Sequence, residues 1–150
     1  MNDTDEDARG VHLWLVLSRA ARAIAGHAER SIASLDLCMS DFAVLEVLLH
    51  RGPLPVNTIG RKVLLTSGSI TTAVDRLETQ GLVERRDHPT DRRARVVHLT
   101  VAGKKLITRV FAEHERHMEE AAAALDAKER RTLVRLLRTL GLAAAEKLGE

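Results

Sequence analysis

The chain is 150 residues long, the size of one domain with its own core, and is 45% apolar but only 2% aromatic, so its interior rests on Leu, Val, Ile and Ala, a mix that suits helices. No apolar run approaches the roughly 18 residues of a membrane span, and the acidic opening MNDTDEDARG is unlike a secretion signal, so a cytoplasmic protein with no membrane partner is expected. Net charge is +2, yet residues 51–105 hold 11 Lys/Arg against 5 Asp/Glu while residues 1–50 hold 4 against 8; the positive charge is gathered on one segment, as phosphate contact requires.

From about residue 11 to 33, Leu13, Leu17, Ala20/Ala21, Ile24 and Ala28 recur every three or four positions, the stripe of an amphipathic helix. Ser40 is a candidate N-cap for a second helix carrying Phe42, Val44/Leu45, Leu48 and Leu49, and Gly52-Pro53 stops it. Residues 56–64 read as a third helix packing Ile59 and Val63. Thr66 is placed to cap a fourth that runs to Gln80, with Gly81 in the C′ position. Residues 82–86 and 95–99 have strand character and flank the turn-prone His88-Pro89-Thr90-Asp91. Thr100 then opens a long helix with Leu106, Val110, Met118, Ala121 and Leu125 on one stripe. Asp126 and Glu129 form a capping-box pattern ahead of a last helix that lines up Leu133, Leu136/Leu137 and Leu140.

The fold class this order predicts is mainly α with a small β-hairpin wing: a winged helix-turn-helix over about residues 40–100, flanked by helices at about 11–35 and 101–148, in a single domain spanning 1–150. The flanking stripes need burial, either back on the central unit or against a second copy, and a two-fold homodimer is the common solution.

In the fourth helix Ile70, Val74 and Leu77 take the core side, which leaves Ser69, Thr72, Arg76 and, nearer the edge, Asp75 on the other. Ser67, Ser69 and Thr71 occupy the first turns, where hydroxyls and backbone N–H groups suit phosphates and base edges. Arg76 is suited to a bidentate guanine contact or a phosphate. Asp75 either accepts from a cytosine amino group or holds Arg76 or a wing arginine. The hairpin tip carries Arg92, Arg93 and Arg95, long cations fit for a narrow minor groove, with Asp91 placed to orient Arg93.

The run GSITTAVDRLETQGLVERR followed by DRRARVVHLTVAGK resembles the MarR family of bacterial regulators, closely over about residues 40–106 and loosely over the rest. The wing pattern Asp-x-Arg followed by Leu-Thr-x-x-Gly is met by Asp91, Arg93, Leu99, Thr100 and Gly103. The resemblance implies a homodimer joined through its terminal helices and bound to double-stranded DNA at a palindromic operator, with half-sites roughly 34 Å apart. It further implies that Arg93 enters the minor groove, that Asp91 steadies it, and that a small molecule or oxidant releases the repressor.

For an effector, the candidate lining is Trp14, Leu17, Arg19 or Arg22, Phe42, Leu45 and Val63, an arginine holding a carboxylate or phenolate while apolar neighbours take the ring. The competing reading makes Trp14 and Phe42 plain core residues. Cys38 is the candidate for a thiol-based redox or electrophile sensor, against a reading as a buried small hydrophobe, since Asp36 and Asp41 oppose a thiolate. Glu113, His114 and His117, with Cys38, His27 and Glu46 in conceivable reach, are the only metal candidates, and EHERH reads more naturally as a solvated, salt-laced face, so no metal or cofactor is expected. The chain carries no catalytic triad, phosphate-binding glycine loop or CxxC pair, which argues against an enzyme. A non-specific architectural DNA-binding protein is the remaining alternative.

Overall fold

The computed structural model describes residues 9–63, 67–87 and 95–149. In chain order these form α1 (Gly10–Ala33), α2 (Met39–Arg51), β1 (Leu54–Pro55), α3 (Val56–Val63), α4 (Ser67–Thr79), β2 (Val83–Asp87), β3 (Arg95–Leu99), α5 (Val101–Ala121) and α6 (Ala127–Leu148). The expected mainly helical fold with a β-hairpin is therefore present, and the chain divides into two compact units, residues 1–117 and 118–150.

The first unit holds the core. Ile32 closes it from α1, while Phe42, Val44, Leu45 and Leu48 enter from α2. Ile59 comes from α3, Ile70, Ala73, Val74 and Leu77 from α4, Val83 and Val97 from the hairpin, and Ile107 and Val110 from α5. With Phe42 the one aromatic ring among these core residues, the packing depends on many branched aliphatic side chains meeting at close range. Three strands pair antiparallel in the order β1-β3-β2. β1 was not foreseen: Leu54 and Pro55 pair with Val97 and Val96, and the proline, which cannot donate to a ladder, sits on an edge.

The punctuation of the helices follows local chemistry. Gly52 (φ 75°) ends α2 and Gly81 (φ 70°) ends α4, each with a positive φ that glycine adopts without strain. After α4 the Leu82 N–H reaches Leu77 O at 2.9 Å and the Gly81 N–H reaches Glu78 O at 2.9 Å, the paired bonds of a Schellman ending. Thr100 hydroxyl accepts from the Gly103 N–H at 3.0 Å and donates to Gly81 O at 2.7 Å, tying the start of α5 to the turn that leaves α4. Ser40 does not cap α2. The helix opens two residues earlier, at Met39, Cys38 occupies the N-cap position without a side-chain cap bond, and the Ser40 hydroxyl turns sideways to other partners.

In the second unit Asp126 and Glu129 make the reciprocal capping box expected of them. α6 contains no buried residue, and Leu133, Leu136, Leu137 and Leu140 are 39–52% exposed. In the first unit Val11, Leu13, Trp14 and Val16 on α1 are likewise exposed. No helix among the described residues is long and apolar enough to cross a membrane.

Candidate nucleic-acid interface

α4 is anchored by Ile70, Ala73, Val74 and Leu77, all at most 1% exposed, so its other side, with Gly68, Ser69, Thr71, Thr72, Asp75 and Arg76, faces solvent. Each flank of that exposed side is held by an ion pair. On one flank Arg76 Nε donates to Asp41 Oδ2 at 2.8 Å and Nη2 to Asp41 Oδ1 at 2.5 Å. The same Nη2 reaches Ser40 Oγ at 3.2 Å and Cys38 Sγ at 3.3 Å. Asp41 is almost wholly buried while Arg76 stays partly exposed. The hydrogen bond to Asp41, and then that carboxylate's charge, hold the Arg76 guanidinium protonated further above its ordinary range.

On the other flank Arg85 of β2 donates through Nη2 to Asp75 Oδ1 at 2.5 Å and through Nη1 to Glu78. Its backbone N–H also reaches Glu78 Oε1 at 2.9 Å. Burial pulls the Arg85 pKa down, and the hydrogen bonds and charges of Asp75 and Glu78 more than offset it, leaving it raised. The first strand of the wing is thereby fastened to α4, and Asp75 spends its carboxylate holding a wing-strand arginine, one of the roles open to it from sequence.

Of the residues expected to touch DNA, Ser69, Thr71 and Thr72 lie exposed on α4. Thr72 hydroxyl donates to Gly68 O at 3.0 Å, one turn back, which orients its lone pairs outward. Ser67 begins α4, and its side chain lies outside the described residues. Asp91, Arg92 and Arg93 also lie outside the described residues. Arg95 opens β3 opposite Asp87, paired with it at 3.1 Å and 61% exposed. Arg76 departs from the expectation in one respect: its hydrogen bonds go to α2 and not outward, because a carboxylate withdrawn from water strongly favours a forked cationic partner.

The residues proposed for an effector fall in unlike environments. Phe42 is 4% exposed whereas Trp14 is 63% exposed, so the core reading fits Phe42 and fails for Trp14, and the two share no buried lining within one chain. Arg19 and Arg22 are exposed on α1. A cleft of about 630 Å³ opens between α2 and α3, lined by Ala43, Glu46, Val47, His50, Arg51, Lys62 and Val63. Cys38 is exposed, contrary to its reading as a buried hydrophobe, because it stands in the loop entering α2 and not on that helix's core face.

The EHERH segment is also not a wholly solvated face. Phe42 meets His114 edge-on, with ring centroids 4.9 Å apart. The buried Ser31 hydroxyl lies 3.0 Å from His114 Nδ1 and 2.8 Å from His117 Nδ1, and Arg116 Nη2 is 2.8 Å from His117 Nε2. Arginine has no acceptor, so His117 Nε2 accepts, its Nδ1–H donates to Ser31, and the Ser31 hydroxyl donates to His114 Nδ1. Burial lowers the His114 pKa, Glu46 opposing and His117 adding to the shift. Glu113 pairs with Arg116 at 3.3 Å.

Three helices followed by an antiparallel hairpin, with the last helix of the three turned outward beside that hairpin, define a winged helix-turn-helix, a DNA-binding fold. The MarR family model matches residues 37–94. The HTH-type transcriptional regulator MhqR of Bacillus subtilis is 38% identical over 138 residues, spanning 92% of this chain and 95% of its own. A probable transcriptional regulator from Pseudomonas aeruginosa superposes with a TM-score of 0.73 at 30% identity, over 84% of this chain and 94% of its own. BpsR of Bordetella bronchiseptica, whose DNA binding is regulated by 6-hydroxynicotinic acid, superposes with a TM-score of 0.75 at 23% identity, over 86% of this chain and 98% of its own. The chain belongs to the MarR family; it is a DNA-binding transcriptional regulator and not an enzyme.

Proposed function

We propose that the chain is a sequence-specific homodimeric repressor of a nearby promoter, bound to a palindromic operator and released by a small phenolic or anionic ligand. The observation that carries this reading is an exposed, hydroxyl-bearing α4 face fastened on both flanks to a rigid scaffold and adjoining a basic hairpin. Ser67, Ser69, Thr71 and Thr72 read the major groove, while Arg76 stands at the edge of that helix face, closed onto Asp41. Arg92, Arg93 and Arg95 serve the wing, Arg93 in the minor groove and steadied by Asp91. Residues 40–100 are the DNA-reading unit and residues 11–35 and 101–148 the dimerisation helices of one functional domain. The apolar stripes exposed on α1 and α6 support the dimer, since a second copy would bury them. For the effector, Trp14, Arg19 and Arg22 offer a ring surface and cations on α1; a pocket completed by a second copy agrees with the aromatic acid that regulates BpsR.

The test is titration onto the DNA upstream of the protein's own coding region and onto a scrambled duplex at moderate salt. Specific sites win by roughly 10³ or more, whereas a ratio near one makes the chain a non-specific architectural binder. Arg93→Ala is expected to weaken operator binding and leave the dimer intact.

A second reading has one observation in its favour: the exposed Cys38 thiol touches the guanidinium that steadies α4. In this reading oxidants or electrophiles modify Cys38 and disturb the Arg76 contact. Cys38→Ser would then keep operator binding while abolishing its loss under peroxide or quinone; an unchanged response removes the thiol from the mechanism.

A further inference from the structure

We propose that Asp41 is a specificity-determining positioning residue: by keeping Arg76 closed onto α2, it withholds that cation from the DNA backbone and leaves sequence reading to the hydroxyls of α4. The inference rests on the DNA-reading role of α4 proposed above.

Arg76 is the sole basic residue of α4, and it stands at the edge of the exposed face one turn after Thr72. A guanidinium there, if unrestrained, meets whichever phosphate comes near, and phosphate contacts carry no sequence information. Asp41 removes that freedom. Both of its oxygens are engaged by Arg76, while Ser40 Oγ and Cys38 Sγ add acceptors around the same Nη2. To reach DNA, Arg76 would have to leave a buried carboxylate without a counter-charge, which is strongly unfavourable. The pair therefore stays closed when DNA binds. The Asp75/Glu78 pair does the same for Arg85 on the opposite flank, so Arg76 and Arg85 are both neutralised within the protein. Attraction to arbitrary sequence falls, and the contribution of the hydroxyls and the wing to discrimination rises.

The experiment uses Asp41→Asn in the full chain, which preserves shape and one acceptor oxygen but frees the cation. Affinity is measured for the chain's own upstream DNA and for a scrambled duplex across a salt series. On the scrambled duplex, affinity rises and the log–log salt slope steepens by about 0.9, one additional phosphate neutralised. The ratio between the two duplexes falls on the order of tenfold, the scale of one base-reading contact. The double variant Asp41→Asn with Arg76→Met returns the slope to that of the wild type. A residue that merely holds the fold would lower both affinities together and leave the slope unchanged, and that result overturns the proposal. Should Asp41→Asn fail to fold, the wild type decides by NMR. The Arg76 Nε–H signal stays protected and unshifted when scrambled DNA is added if the pair remains closed; its movement to a phosphate-bound position overturns the inference. A wild type with no preference between the two duplexes overturns both readings. A wild type that discriminates beside an Asp41→Asn protein of unaltered slope and ratio overturns this one alone.

Discussion

Replacing Gly103 by alanine tests how the wing is joined to α5. An ideal Cβ at this position would overlap the Leu82 carbonyl oxygen and lie 2.8 Å from its carbon and 3.2 Å from the Leu82 Cα. The obstacle is backbone, so no side chain can swing aside. The Leu82 carbonyl also accepts the Thr100 N–H at 3.1 Å, and Thr100 hydroxyl bridges to Gly81 O at 2.7 Å. Relieving the overlap stretches both bonds. Overpacking costs about 1–3 kcal/mol, and weakening two hydrogen bonds about 0.5–1.5 kcal/mol each. Alanine returns about 1 kcal/mol of helix propensity, for a net loss of about 3 kcal/mol. In a chain of this length that lowers Tm by roughly 6–12 °C, read by circular dichroism at fixed protein concentration. Gly141→Ala, on a helix with nothing within 4 Å of the new Cβ, supplies the contrast and should leave Tm unchanged or raise it slightly. If Gly103→Ala melts with or above the wild type, the close approach of α5 to the wing base is wrong.

Arg85→Met should leave Asp75 and Glu78 facing each other without their shared cation; chemical denaturation is expected to show a loss of about 2 kcal/mol, the scale of hydrogen bonds to charged groups, together with weaker operator binding as the wing loosens. The His114 pKa is lowered in the folded chain, so the unfolded chain takes up a proton more readily. The stability contributed by neutral His114 is thus complete above the ordinary value of 6.5 and is lost as pH falls below it toward the folded value; urea midpoints should decline from pH 8 to pH 5, and His114→Leu should flatten that decline. Leu137→Glu places a charge in the apolar stripe of α6, where a dimer would leave it buried and unpaired; sedimentation should find monomers and operator affinity should collapse, and a dimer of undiminished affinity would remove α6 from the interface.

Features set by neighbours within a few residues are legible in the amino-acid sequence. The Asp126/Glu129 capping box, the Gly81 ending and the Ile70–Val74–Leu77 stripe depend on i,i+3 or i,i+4 geometry, which a linear chain displays directly, and the Arg95–Leu99 strand on β-branched residues beyond a turn-prone run. The winged helix-turn-helix class follows from the order of such segments. The partners of individual polar groups did not follow. Nothing near Asp41 in the chain indicates a carboxylate that holds Arg76 35 positions later, or that Ser31 joins two histidines 83 and 86 positions away. Ser40 looked like a cap because local chemistry permits it, yet a guanidinium from α4 claimed its hydroxyl. Trp14 and Phe42 have similar sequence credentials and opposite exposures, since burial depends on which helix face the rest of the fold covers. Local backbone hydrogen bonding and hydrophobic periodicity determine the elements; which charges neutralise one another, and which thiol or ring meets solvent, is decided only when packing brings distant segments within the few ångströms over which such contacts act.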